Sequence, residues 1–316
     1  MIVGGGVRRL AQAIEDDRKY LDPMVLARIS GLELRARLLV QGFISGMHRS
    51  PAHGFSVEFA EHRKYTQGDD LRFMDWKVYG RTDKHYIKRH EQESNLQLHF
   101  AVDTSESMSY QSAGSPWSKR EYALTIVAAM AYLALQQADS VALTTFDTHI
   151  HRTSKPSNNP AKWRTITREL LAARPRGPTA FRAVLDELAE ASHQRQLIVL
   201  VSDFLGPVDE ITAGLKHLRH RRHEPVVMHV LDSAELEFPF DRAMQLVGLE
   251  GLSQIVVEPR VMRRHYLEVL ERYLKSLRRC CHEQQTDYAL FNTRESLAGL
   301  LSAYLTARSA RARRWR

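Results

Sequence analysis

Asp103, Ser105 and Ser107 stand at alternate positions directly after an apolar run, and Thr179 and Asp203 occupy comparable places near later apolar segments. Two carboxylates and three hydroxyls offer only hard oxygen donors. Such a set suits Mg²⁺, which keeps several of its waters and takes few protein ligands in octahedral geometry, with Mn²⁺ or Ca²⁺ as substitutes. Zinc would want histidine or cysteine, which these loops lack. The donor chemistry assigns Ser105, Ser107 and Thr179 to direct coordination and leaves Asp103 and Asp203 holding the metal's waters. A cation so weakly neutralised favours an incoming carboxylate from another molecule. Each residue alone has an ordinary explanation, since Asp and Ser form local turns and Thr179 can cap a helix beginning at Ala180. Their joint placement at the ends of apolar segments favours the metal site.

What must position these residues is a sheet. From Ser94 onward, short apolar runs at residues 96–103, 140–146, 197–202, 226–231 and 288–291 alternate with helical patterns of ten to twenty residues. This spacing predicts βαβ units, hence an α/β fold with a doubly wound, mostly parallel sheet and helices on both faces. Residues 149–153 read as a short edge strand. Ligands of such sheets bind beyond the carboxyl ends of the strands, where strand order reverses; Asp103, Ser105, Ser107 and Asp203 fall near such ends, and Thr179 in the loop ahead of a helix. Helices are expected over 180–192, 208–223 and 260–283, and another from Asn159 as cap to Ala173 with Pro160 in its first turn. Residues 243–249 and 252–257 flank Glu250 and Gly251, the pattern of an inserted hairpin near 242–258.

The 316 residues allow about two domains. Residues 1–93 comprise a helical stretch over 21–46, broken at Gly31, followed by a polar, basic and aromatic region of turns and short strands. Residues 94–300 form the α/β domain, and 301–316 a basic tail. The net charge of +8 is C-terminal, with 13 Lys and Arg against 5 Asp and Glu from Arg260 onward. That excess permits phosphate or anionic-surface binding by electrostatics, although no nucleic-acid-binding motif accompanies it. Adjacent Cys280 and Cys281 cannot staple distant segments, and no signal-peptide pattern opens the chain, so a reducing cytoplasm is expected. The apolar stretch 122–135 falls short of the roughly 20 residues that span a bilayer and reads as a buried helix. His217, His220 and His223 recur every three residues among arginines, the pattern of a solvated basic helix face.

The Asp-x-Ser-x-Ser run at 103–107, with Thr179 and the Ser202-Asp203 pair, resembles the metal-ion-dependent adhesion site of von Willebrand factor A domains at all five positions. Upstream, Gly68-Asp69-Asp70-Leu71-Arg72-Phe73-Met74-Asp75-Trp76, followed by Arg81, resembles the signature preceding such a domain in an uncharacterised bacterial family, number fifty-eight of the domains of unknown function. The resemblance covers about residues 40–300. It implies a von Willebrand A-like fold, a metal held by Asp103, Ser105, Ser107, Thr179 and Asp203, and a non-enzymatic role in partner recognition. Members are commonly encoded beside a MoxR-type AAA+ ATPase, so the resemblance also implies an accessory partner of such an ATPase in chaperone-like assembly or maturation, with a client presenting Asp or Glu to the metal. Many relatives carry membrane-spanning segments ahead of the signature, and none is visible here. Arg72, Asp75, Trp76 and Arg81 have two readings, a brace packed on the sheet or a docking surface for the ATPase.

A phosphohydrolase using Asp103 is the competing reading, because phosphoryl transfer needs a carboxylate, a hydroxyl and Mg²⁺ close together. Ser105 stands where haloacid-dehalogenase-like enzymes have a second Asp. Neither a Gly-x-Ser-x-Gly elbow nor a phosphate-binding Gly-x-x-x-x-Gly-Lys loop is present.

Overall fold

A computed structural model describes residues 23–47, 62–64, 80, 86–88, 96–250, 254–297 and 299. Arg72, Asp75, Trp76 and Arg81 lie outside the described residues, as do Gly251 and the basic tail from 301. Helices α1 (Pro23–Ala27) and α2 (Leu32–Met47) are separated at Gly31, whose φ of +94° is open to glycine and costly for other residues. Strands β1 (His62–Lys64) and β2 (Tyr86–Lys88) form a small antiparallel ladder.

The main body follows in chain order. It comprises β3 (Gln97–Asp103), a 3₁₀ turn (Glu106–Ser109), α3 (Lys119–Gln136), β4 (Ser140–Phe146), β5 (Ile150–Thr153), α4 (Lys162–Ala172), α5 (Phe181–Glu190) and β6 (Leu197–Ser202). Then come α6 (Val208–His220), β7 (Glu224–Leu231), α7 (Ser233–Glu237), the hairpin strands β8 (Met244–Leu246) and β9 (Ile255–Val257), α8 (Pro259–Glu283) and β10 (Asp287–Asn292). The sheet order is β10-β7-β6-β3-β4-β5, parallel throughout except for the antiparallel edge strand β5. This is the expected α/β architecture, a doubly wound and mostly parallel sheet with helices on both faces. Connections run outward to β5 on one side and to β10 on the other, so strand order reverses between β3 and β6. Asp103 and Ser202 end those two strands.

The sheet separates two apolar cores. Leu98, Phe100 and Val102 of β3 pack with α3 and with Leu39, Val40 and Phe43 of α2, whereas Ala101 of β3 and Ile198 and Leu200 of β6 face α5, α6 and Leu277 of α8. α3 is buried around most of its circumference, which accounts for its nearly continuous apolar sequence. Its start is fixed by a capping box in which Ser118 and Glu121 satisfy each other's backbone amides. Helices α5 and α6 touch at Gly214, where an added Cβ would lie 2.5 Å from the Leu185 side chain. Among the described residues no helix is long and apolar enough to cross a membrane.

Several local expectations need correction. The fourth helix begins at Lys162 because the Asn159 carboxamide accepts the Ala161 amide at 2.9 Å, closing a turn ahead of the helix. Thr179 does not cap α5. The cap position is Ala180, without a side-chain bond, and the Thr179 hydroxyl turns to Asp103 instead. Helix α6 stops at His220, since Arg222 adopts a left-handed φ of 66° and swings His223 into full burial. The three histidines therefore do not share a solvated face; His217 bonds Asp186 at 2.7 Å. The hairpin ladder is confined to three residues on each side, so Glu250 sits in a wide loop and not in a tight turn.

Candidate metal centre

Three loops build the site, two of them following strands β3 and β6 and the third joining α4 to α5. After β3 the chain turns at once, because the Asp103 carboxylate accepts the Ser105 amide at 2.8 Å. That turn brings the Ser105 and Ser107 hydroxyls to 3.0 Å from each other. The loop is pinned to the next one by Glu106 N–H to Gly177 C=O at 3.0 Å and Arg176 N–H to Thr104 C=O at 3.0 Å. Gly177 takes φ +52° in that second loop, which delivers Thr179. The Thr179 hydroxyl lies 3.0 and 3.2 Å from the two Asp103 oxygens.

The third loop follows β6. Ser202 donates to Asp103 at 2.5 Å and accepts the Phe204 amide at 2.9 Å. Phe204 holds φ 47°, a costly conformation for a bulky residue. Two contacts hold it there: its ring stacks on Phe181 at 5.4 Å, and its carbonyl accepts the Tyr273 hydroxyl from α8. The strained turn points Asp203 back into the site, beside Lys119 and near Ser107. Asp103, Ser105, Ser107, Thr179 and Asp203 thus converge on one rim, at the strand-order reversal.

The rim also contains groups that the sequence pattern did not single out. Lys119, the first residue of α3, is fully buried and lies 2.7 Å from both Asp203 and Glu235. Burial pulls the Lys119 ammonium down, but the two carboxylates overcome this and hold it above its ordinary range. Asp203 is correspondingly held low: burial raises it, and Lys119 more than compensates. Among the described residues Asp103 has no such cation, and burial together with the Asp203 charge pushes its carboxyl up. Burial raises the carboxyl of Glu250, from the inserted hairpin loop, against the opposing pull of nearby Ser107. Of these four acids, Lys119 contacts only Asp203 and Glu235. A lysine at the first position of an apolar helix opposes the helix dipole, and that was the one sequence signal for Lys119.

The donor set fits a small hard cation. In an octahedral Mg²⁺ shell with ligands at about 2.1 Å, adjacent oxygens stand about 3.0 Å apart. The Ser105–Ser107 pair has that spacing.

The model of the family described as "Protein of unknown function DUF58" matches residues 61–273. The chain belongs to the DUF58 family. Among curated proteins, this DUF58 chain is similar to the uncharacterised protein Rv1480 of Mycobacterium tuberculosis, with 28% identity over 224 residues that cover 69% of this chain and 68% of the relative. Among solved structures it is similar to the conserved hypothetical protein BatB from Bacteroides thetaiotaomicron, with a TM-score of 0.40, 13% identity and coverage of 68% of this chain and 99% of that one. It is also similar to the SpRpn10 VWA domain, with a TM-score of 0.38, 12% identity and coverage of 65% and 93%.

Proposed function

We propose that this DUF58 protein is a protein-interaction module whose recognition is completed by Mg²⁺ at the β3–β6 rim. The observation that carries the reading is the Ser105–Ser107 oxygen pair at 3.0 Å above a buried Asp103 that pairs with no cation among the described residues. Ser105, Ser107 and Thr179 would hold the ion, with Asp103 and Asp203 orienting its waters. When bound, the ion supplies a Lewis-acidic position that accepts a partner's Asp or Glu. The partner is a MoxR-type AAA+ ATPase or its client, and the work is chaperone-like assembly or maturation.

Hydrolysis is the weaker reading. Both Asp103 oxygens already accept hydrogen bonds, from the Ser105 amide and from the Thr179 and Ser202 hydroxyls, which blunts the carboxylate as a nucleophile. Nucleic-acid binding through α8 is weakened by Arg264–Glu268, Lys275–Glu271 and Arg279–Glu283 pairs, which neutralise part of its charge.

The test is partner retention from the native host by wild type and by Ser105→Ala plus Ser107→Ala, in Mg²⁺ and in EDTA, after circular dichroism confirms folding. Retention by wild type in Mg²⁺ alone is expected. Equal retention in all four conditions would refute the reading.

Glu250 adds a second expected result. Its carboxylate lies close enough to Ser107 to be influenced by it, on the approach a partner's carboxylate would take, so it acts as an internal competitor. Glu250→Ala is expected to tighten Mg²⁺-dependent partner binding by about 3–10-fold, the scale of one net polar interaction. Titration by calorimetry with the retained partner measures this, and unchanged or weaker affinity rules out competition.

A further inference from the structure

Beyond the oxygen-lined rim, a chemically different cluster lies in the turn joining β4 to β5. Asp147 and His149 lie in the bends after β4, and His151 in the first residues of β5. The register between β4 and β5 shifts at Thr145/Phe146, and the Asp147 amide bonds the His149 carbonyl at 3.1 Å, so the turn curls the two imidazoles over the carboxylate. One donor atom from each residue falls within 4.8 Å of the others. His151 Nε2 contacts Asp147 Oδ2 directly, and His149 Nδ1 lies 3.6 Å from Asp147 Oδ1. The imidazole rings stand 4.3 Å apart, edge to face.

This arrangement differs from a surface ion pair in how the carboxylate is held. Asp147 is 2% exposed, whereas the His149 side chain is 66% exposed. The buried carboxylate is oriented from behind by the Thr148 hydroxyl at 3.1 Å and the His149 amide at 3.3 Å. Burial alone would raise its pKa, but hydrogen bonds from His151, Thr148 and the His149 amide overcome that and keep it ionised. An oriented anion at the base and two imidazoles at the mouth form a facial set with its remaining positions toward solvent. Two histidines and one carboxylate are the donors of open Zn²⁺ and Fe²⁺ sites, and imidazole selects against Mg²⁺.

We propose that Asp147, His149 and His151 form a second metal site, specific for a divalent transition cation such as Zn²⁺ and separate from the hard-cation rim. The two sites share a wall. The Asp147 carbonyl accepts the Ala180 amide at 3.2 Å, so the turn bearing the histidines also braces the loop that presents Thr179.

The probe is Zn²⁺ itself, added to the full chain in excess Mg²⁺ and followed by calorimetry, with Co²⁺ visible absorption as a second readout of imidazole ligation. Wild type is expected to bind one equivalent at this turn. His149→Ala plus His151→Ala should weaken that binding by roughly 100-fold or more, beyond the usual cost of disturbing an outer-shell partner, and should abolish the Co²⁺ bands. Ser105→Ala plus Ser107→Ala should leave both unchanged, which separates failure here from failure of the Mg²⁺ reading. Single His149→Ala, at the exposed mouth, provides a folded variant with one ligand removed. Zn²⁺ affinity that is the same in wild type and in both histidine variants, or absent from wild type, would overturn the site and leave a simple His151–Asp147 contact.

Discussion

Lys119→Met is expected to destabilise the fold by about 3–5 kcal/mol, the usual cost of removing one partner from a buried ion pair. The ammonium bridges Asp203 and Glu235 at 2.7 Å each, with side-chain exposures of 1% for Lys119 and 2% for Asp203. Removing it leaves a fully buried Asp203 carboxylate facing the partly exposed one of Glu235 with no cation between them. Methionine keeps the length and apolar stem of lysine, so the loss reports charge and not packing. Urea unfolding of wild type and variant at pH 7.5 measures the difference through the midpoint. A loss below about 1 kcal/mol would mean that the carboxylates escape to solvent or take up protons at little cost, and that the lysine is not what holds the rim together. The site's organisation makes the larger value the expected one. Asp203 is fixed from two directions, by Lys119 and by the Leu205 amide, and the strained Phe204 turn gives it little freedom to retreat.

The sheet was legible because parallel strands buried on both faces must be nearly continuous apolar runs: β6 is all apolar up to Ser202 and every residue in it is buried. The hydroxyls and aspartates at strand ends were legible for a related reason, since polar residues that interrupt such runs at the reversal point must sit at the rim. Helix ends were less so. Asn159 and Thr179 both look like caps, yet their side chains are drawn into a local turn and into Asp103, a competition decided by tertiary neighbours. Lys119 and Glu235 escaped notice because their pairing spans 116 residues and neither belongs to a motif. Glu250 was read only as a turn residue. Nothing in residues 243–257 says that the hairpin loop comes near Ser107, because that proximity depends on where α7 and the hairpin place the loop. The Asp147, His149 and His151 cluster is not legible for a different reason: in sequence Asp147 falls in a turn and His149 and His151 in the edge strand after it, and only the fold of that turn brings the three together.

Buried histidines make the fold sensitive to acid, and the double variant His99→Gln plus His229→Phe should reduce that sensitivity by about 4 kcal/mol between pH 7.5 and 5. Burial pushes both imidazoles down to about 4, well below the ordinary value near 6.5. In His99, Nδ1 donates to the Gln196 side-chain oxygen at 3.1 Å, and Nε2 accepts the Thr144 hydroxyl at 2.7 Å, a pattern suited to the neutral ring. His229 lies against Phe204 and beside the Tyr288 hydroxyl at 2.9 Å. Below pH 6.5 the unfolded chain takes up protons that the folded chain refuses, so the stability these groups contribute is whole above 6.5 and drains as pH falls toward 4. At about 1.4 kcal/mol per unit, each group loses about 2 kcal/mol by pH 5. Asp103 and Glu235, whose carboxyls burial raises, act in the opposite sense, since the folded state then binds protons more readily than the unfolded chain. Their contribution is common to both proteins, so the informative quantity is variant stability minus wild-type stability at each pH. Urea midpoints at pH 7.5 and 5 give it. A difference that stays constant over that range would show that the two imidazoles titrate normally in the folded protein, by water reaching them beneath the Phe204 turn and along the β3–β4 seam.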